Sequence, residues 1–411
     1  MLKLNRRHFV GALGGLAWPA PFQLLAESHR GKTKIRDIKA MMLEGPRTYT
    51  LVKVETDAGP YGFAEAYGSP GVGVKEQVLA LRELLIGKDP LDIDTLMVGL
   101  GRHTDGSAHH FMRAASGIEM ALWDLAGKIL QAPVSTLLGG RFRDRVRMYN
   151  HASPRDMLDK GSCREWAAKV KEDPAGFTAH KFSFPHTKPS EDPGRDLANR
   201  MLSREELRRV RRGYENCREA LGFEHDLMVH CHWEYDLRTS IELAQALAGI
   251  EPLFLEDPMP VAYAEGWRRL TAASPVPICT GENWFRRHES LPFVIIHGCD
   301  ILHPDLRNSG GFLETKRLAD LADLYSLPLA NHNTGSLVNT LATVQWASAI
   351  RDYTLCETVL FRHDWMDDVL LRDGPMIRDG FVTVPTGPGL GIELNPDVVR
   401  AHLAEGEAWW G

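Results

Sequence analysis

The stretch LFLEDP (Leu253–Pro258) is a short apolar run that ends in acids and is stopped by a proline. Such a run, bounded by a turn signal, reads as a buried strand. The same construction recurs at a near-constant interval on both sides. LMVHCHW carries His230, 26 residues before Glu256, and PICTGEN carries Glu282, 26 residues after it. DILHPD, PLANHNT and YTLCETV then bring Asp305, His332 and Glu357 at intervals of 23, 27 and 25 residues. Two earlier runs, VRMYNHA and FTAHKFSF, complete a set of eight. Each interval holds one strand and one helix, so residues 144–381 are expected to close into a (β/α)8 barrel. In such barrels the chemistry sits at the C-terminal strand ends.

One step is longer. Lys181 to His230 spans 49 residues and contains FPHTKPSEDPGRD, a loop-like stretch on the catalytic side that could form a lid or a disordered surface loop. A helix follows, opening at Ser203 with Glu206 at capping-box spacing. Ahead of the barrel, KIRDIKAMMLEG, TYTLVKVETDAG and YGFAEAYG read as strands, and SGIEMALWDLAGKILQAP as a helix stopping at Pro133. Residues 33–143 therefore form an expected α+β domain. Residues 382–411 form a tail expected to return to it.

The first 30 residues stand apart. NRRHFVGALGGLAWPA pairs Arg6 and Arg7 with a Gly/Ala-rich apolar run too short to span a bilayer. This resembles a twin-arginine export signal and predicts a periplasmic destination. No other stretch suggests stable membrane insertion. A net charge of −6 gives a nucleic-acid partner no global support, and LRRVRRG (Leu207–Gly213) reads as a solvated helix face. Six cysteines without a CxxC pair read as buried thiols.

Three consecutive strands carry His230, Glu256 and Glu282, and oxygen ligands from neighbouring strand ends suit a hard divalent cation such as Mg²⁺. Asp305 and His332 follow on the next two. An aspartate that accepts from one imidazole nitrogen raises the basicity of the other, which suits His332 to general-base work. His230 and His232 are two residues apart, so strand alternation places both on one face. Metal binding, catalysis and packing all remain open for that pair.

After the leader, the chain resembles the mandelate racemase/muconate lactonizing enzyme branch of the enolase superfamily. The resemblance is carried by ALWDLAGKILQAPVSTLLGG, FLEDP, TGEN, DLRNSGG and NHNTGS. It implies a modified barrel capped by an α+β domain built from both chain ends. It also implies metal-assisted removal of the proton α to a carboxylate, with Mg²⁺ stabilising the enediolate. Many members carry two lysines on the second strand, the second acting as a base. Here Lys181 is followed by Ser183, which leaves a one-base reaction through His332.

Galactonate-dehydratase-like members carry a histidine at the position of His232, which implies that His232 protonates a departing C3 hydroxyl. The implied reaction is dehydration of a sugar acid to a 2-keto-3-deoxy acid, with Lys181 holding the carboxylate and Glu357 bonding the substrate or enediolate. The alternatives are a sugar-acid cycloisomerase or epimerase, and a non-catalytic binding homologue. The resemblance also implies a homo-oligomer. One position departs from the pattern: His230 stands where the family has an aspartate as metal ligand. With Glu256 and Glu282 it would form a site for Mg²⁺, or for Mn²⁺ or Zn²⁺, which suit imidazole better. Trp233, Arg307 and Asn308 follow catalytic strand ends and could face the pocket, and the loops around Tyr67–Gly73 and His109–His110 could close over it; a structural role is the alternative for each, and the favoured one.

Overall fold

A computed structural model describes residues 26–45, 47–68, 72–103, 108–184, 199–358 and 365–410. Residues 1–25 of the leader and residues 185–198, which take in most of that loop-like stretch, lie outside the described residues, as do residues 69–71 and the side chains of His109 and His110.

Strands β1 (Ile35–Leu43), β2 (Tyr49–Thr56) and β3 (Tyr61–Ala66) pair antiparallel in that order. The helix Ala108–Leu130 lies against β3. Contact there is so close that a Cβ on Gly62 would sit 2.2 Å from the Ala121 carbonyl oxygen. Only glycine lets the helix approach the strand this way. The helix ends at Leu130, and Gln131 takes a positive φ of 54° just before Pro133.

All eight expected barrel strands form. They are β4 (Arg145–Tyr149), β5 (Ala179–Phe182), β6 (Asp226–His230), β7 (Phe254–Glu256), β8 (Ile278–Thr280), β9 (Ile301–Leu302), β10 (Leu329–Asn331) and β11 (Tyr353–Glu357). Neighbours in sequence pair parallel from β5 to β11. β11 pairs with β4, and β4 meets β5 through Asn150 and His180, which closes the ring. The closure is held by Asn150 N–H to the Ala179 carbonyl (3.2 Å) and Lys181 N–H to the Asn150 carbonyl (2.9 Å). β12 (Phe381–Thr383) runs antiparallel along the start of β4. The fold is a modified (β/α)8 barrel with an N-terminal α+β cap.

Inside the ring, each strand contributes one buried residue to an apolar plug: Tyr149, Ala179, Met228, Phe254, Cys279, Ile301, Ala330 and Leu355. Side chains alternate across a strand, so the neighbouring positions pack outward against the helices. The plug is the floor on which the polar residues of the strand ends stand. Beyond the barrel, residues 402–410 return to β1: Glu44 N–H bonds the His402 carbonyl (2.8 Å) and Ala404 N–H bonds the Met42 carbonyl (2.9 Å).

The Arg204–Leu221 helix opens with the expected capping box between Ser203 and Glu206. Its arginines 208, 209, 211 and 212 face solvent, while Val210 and Gly213 face inward. All six cysteines are buried free thiols. Among the described residues no helix is long and apolar enough to cross a membrane. One expectation changes. β6 stops at His230, and His232 lies beyond it with a left-handed φ of 53°. Strand alternation is therefore not what brings the two imidazoles together.

Candidate active site

The barrel mouth gathers Lys181, His230, Glu256, Glu282, Asp305, His332 and Glu357, all of them buried. Lys181 projects from β5 between two strand-end acids, with Nζ 2.9 Å from Glu256 Oε1 and 3.3 Å from Glu357 Oε2. Burial works against its charge, but Glu256 and Glu357 outweigh burial and raise its pKa. The ammonium thus stays charged and can meet a carboxylate.

Three residues that sequence reasoning passed over complete this floor. His303 Nδ1 lies 2.6 Å from Glu256 Oε1, and its Nε2 lies 3.0 Å from the Tyr149 hydroxyl. Tyr149 donates to Glu357 Oε2 at 3.0 Å, and His151 Nε2 bonds Glu357 Oε1. Glu256, His303, Tyr149, Glu357 and Lys181 therefore form a closed polar ring on the apolar plug. His303 was legible by alternation from the inward Ile301, because both have the same parity along the strand.

A metal fits the next group. His230, Glu256, Asp257 and Glu282 each offer a ligand atom, all within 4.8 Å of one another. His230 Nε2, Asp257 Oδ2 and Glu282 Oε2 are buried without a hydrogen-bond partner among the described residues. Buried polar atoms of this kind are costly unless something satisfies them. Three carboxylates and an imidazole are a donor set for a divalent cation. Burial, reinforced by the charge on Glu256, pushes Glu282 up to about 7 against the pull of His332. Burial, then Glu282 and Glu256, raises Asp257 well above the usual carboxylate range. A cation would reverse both shifts. Alternation would turn Asp257 away from the mouth. Its left-handed φ of 48° breaks that alternation, while Thr280 Oγ1 donates to its Oδ1 at 2.5 Å.

The expected dyad forms. His332 Nδ1 lies 2.8 Å from Asp305 Oδ2, and its Nε2 faces Glu282 Oε2 at 3.5 Å and Glu357 Oε2 at 3.9 Å. Burial opposes charge on His332, but Glu282, Glu357 and Asp305 outweigh it and push its pKa up to about 9. Burial likewise opposes charge on Asp305, yet Arg307 and His332 hold it below the usual carboxylate range.

His232 is half-buried. Its ring stacks on His230 with centroids 3.4 Å apart and planes 20° from parallel. Its Nδ1 lies 3.4 Å from Ser183 Oγ, so Ser183 is beside His232 in the position where a second base would stand. Of the expected pocket residues, Arg307 is 1% exposed and lies behind Asp305 rather than facing the pocket. Asn308 is also buried and donates to the Glu282 carbonyl at 2.8 Å, which ties it to the β8 loop. Trp233 is partly exposed, and its N–H bonds the Asp257 carbonyl at 2.6 Å. Tyr67 is buried with the guanidiniums of Arg113 and Arg307 over its ring.

Comparison with known proteins places this geometry. Residues 36–139 match the mandelate racemase/muconate lactonizing enzyme N-terminal domain, and residues 163–398 match the enolase C-terminal domain-like family. A D-xylonate dehydratase of Haloferax volcanii is 35% identical over 91% of this chain and 90% of its own. A D-galactarolactone cycloisomerase of Agrobacterium fabrum is 31% identical over 86% of this chain and 90% of its own. The crystal structure of a mandelate racemase/muconate lactonizing enzyme-like protein from Rubrobacter xylanophilus superposes with a TM-score of 0.85. It is 30% identical and covers 92% of this chain and 99% of its own. Both family matches and the superposed barrel agree with the strand-end residues: the chain belongs to the mandelate racemase/muconate lactonizing enzyme branch of the enolase superfamily.

Proposed function

We propose that the protein is a metal-dependent dehydratase that converts a sugar acid to a 2-keto-3-deoxy acid. The observation that carries this reading is the single base. His332 has its Nδ1 tied to Asp305 and its Nε2 turned to the mouth, while Ser183, beside His232, replaces the second lysine. Relatives named D-xylonate, D-gluconate and D-galactonate dehydratase support it.

Lys181 holds the substrate carboxylate. His332 Nε2 takes the C2 proton, and the electron pair moves into the carboxylate to give an enediolate. The C3–O bond then breaks as the pair returns, with His232 protonating the departing hydroxyl. The enol product tautomerises to the 2-keto acid. Glu357, fixed by Tyr149 and His151, bonds the substrate from the β11 side. His230, Glu256 and Glu282, with Asp257 beside them, would hold the cation, which supplies positive charge where the carboxylate gains negative charge. Mg²⁺ is the family's usual ion, and the imidazole of His230 also admits Mn²⁺ or Zn²⁺. Export by the twin-arginine route to the periplasm and assembly as a homo-oligomer belong to the same proposal.

A panel including D-xylonate, D-gluconate and D-galactonate tests it, assayed for 2-keto product and for deuterium uptake at C2 from D₂O. His332→Asn should lose both signals. His232→Asn should keep C2 exchange and lose dehydration. Exchange with no 2-keto product in the unmodified protein would instead favour cycloisomerase or epimerase chemistry, the reading that the 31% identical cycloisomerase supports.

A further inference from the structure

The dyad does not end at Asp305. Arg307 grips both oxygens of that carboxylate, with Nε 3.1 Å from Oδ1 and Nη2 2.8 Å from Oδ2. Its Nη1 reaches the other way, to Glu65 Oε1 at 2.7 Å. Glu65 belongs to β3, so this contact crosses from the barrel into the cap. The second Glu65 oxygen accepts from the backbone N–H of Ser336, at 2.9 Å, and from its hydroxyl. Ser336 caps the Leu337–Ser348 helix, four residues after His332. Glu65, Asp305 and Arg307 are at most 1% exposed.

Charge explains why the chain of contacts matters. A guanidinium bonded to both oxygens of Asp305 neutralises that carboxylate on its own. His332 Nδ1–H would then face a neutral pair, a poorer stabiliser of the imidazolium that forms when Nε2 takes a proton. Glu65 restores one net negative charge to the buried group. Burial raises the Glu65 pKa above the usual carboxylate range, and Arg307 and the Ser336 donors pull it back toward the ionised form on which this role depends. The bidentate grip also fixes the plane of Asp305, and with it the direction of the His332 ring.

The packing leaves room for nothing else. A Cβ on Gly335 would sit 2.6 Å from Arg307 Nη1, from Glu65 Oε1 and from the Asn339 Cβ. The NHNTGS stretch therefore places the base and also leaves the gap in which cap and barrel charges meet.

We infer that Glu65 is a positioning residue for proton abstraction, acting through Arg307 and Asp305, so that the capping domain completes the base of the barrel. This rests on the reading of His332 as the base. Glu65→Gln keeps the shape and the acceptor for Ser336 but removes the charge and the acceptor for Arg307. The expected result is a kcat about 10- to 100-fold lower, the range typical of outer-shell partners, with KM little changed. The isotope effect measured with a C2-deuterated sugar acid should grow, and Glu65→Asp, which keeps the charge, should recover part of the loss. An unchanged kcat and isotope effect in a folded Glu65→Gln protein would overturn the inference.

If Glu65→Gln fails to fold, Ser336→Ala decides. A lower kcat at constant KM supports the inference, and unchanged kinetics overturns it. A second readout is independent of turnover: the low-field proton resonance of His332 Nδ1–H should move in Glu65→Gln and stay fixed if Glu65 has no influence on the dyad. Should the unmodified protein act on no sugar acid, the proposed function fails and this resonance alone judges the Glu65 contact.

Discussion

Two groups of carboxylates lie equally deep in this protein and behave differently. At the seam between cap and barrel, Glu119 and Asp124 share one helix. Glu119 accepts from Trp123 Nε1 (2.8 Å), Leu313 N–H (3.0 Å) and Phe312 N–H (2.8 Å). The last two open the Gly311–Leu324 helix, which has no side-chain cap of its own. Asp124 accepts from Phe63 N–H (2.9 Å), Lys128 Nζ (2.8 Å) and Leu390 N–H (2.8 Å). Every oxygen has a donor. At the mouth, Asp257 Oδ2 and Glu282 Oε2 have none among the described residues. Depth alone therefore does not mark a functional acid. The seam acids spend their lone pairs on the fold, and the mouth acids leave lone pairs that a cation could take.

The sharpest way to break this distinction is Glu282→Gln. Turnover should fall by about three orders of magnitude, since a lost ligand removes several kcal/mol of charge stabilisation. Calorimetry of the metal-free variant should show stability unchanged or higher, because one under-compensated charge is gone. A large loss of stability would put Glu282 with the seam acids. Asp124→Asn should do the reverse. It leaves a buried donor facing an amide and costs about 2–3 kcal/mol in denaturant unfolding, while kcat and KM of the folded protein stay the same.

Cation binding gives a third contrast. Mn²⁺ or Mg²⁺ at about 100 times its dissociation constant should stabilise the protein by roughly 2.7 kcal/mol, reversed by EDTA. Glu282→Gln should lose most of this gain and Asp124→Asn should keep it. The smallest effect is on pH. Glu282 has its folded pKa raised from 4.5 to about 7. Its contribution to stability is therefore full below about 4.5 and is lost as pH rises through about 7. Metal-free protein should weaken by roughly 1–3 kcal/mol over that window through this group, and Glu282→Gln should reduce the slope, leaving the share of Asp257 and Glu119, whose pKa values burial also raises. A slope unchanged by the substitution would assign it wholly to other groups.

Much of this was readable from the chain. The intervals between strand-end polar residues give the barrel, because each βα unit needs a similar length of chain to cross the sheet and return. They also locate His230, Glu256, Glu282, Asp305, His332 and Glu357, while Lys181 came from the family resemblance; the side chains of all seven reach the mouth. What escaped sequence reasoning has physical causes. Asp257 and His232 reach the site through left-handed backbone, which no period of two anticipates. Tyr149 ends β4 and His303 follows β9, and only the fold shows that they bond each other and the acids Glu357 and Glu256. Arg307 looked like a wall residue, and only the fold shows Glu65 behind it, 242 residues earlier in the chain.

That span has a kinetic counterpart elsewhere in the cap. Leu403 bridges to Leu43, Glu407 accepts from Met42 N–H at 3.1 Å, and Lys75 meets Glu407 at 2.6 Å. These contacts join segments 332 to 365 residues apart. Closing so long a loop in a disordered chain would cost about 5 kcal/mol in entropy. A folded barrel holds β4 and β12 together, which shortens the open loop and lowers that cost by about 1 kcal/mol. Barrel first and cap edge last is the folding order this implies. In a refolding experiment the apolar plug should acquire exchange protection before β1 does.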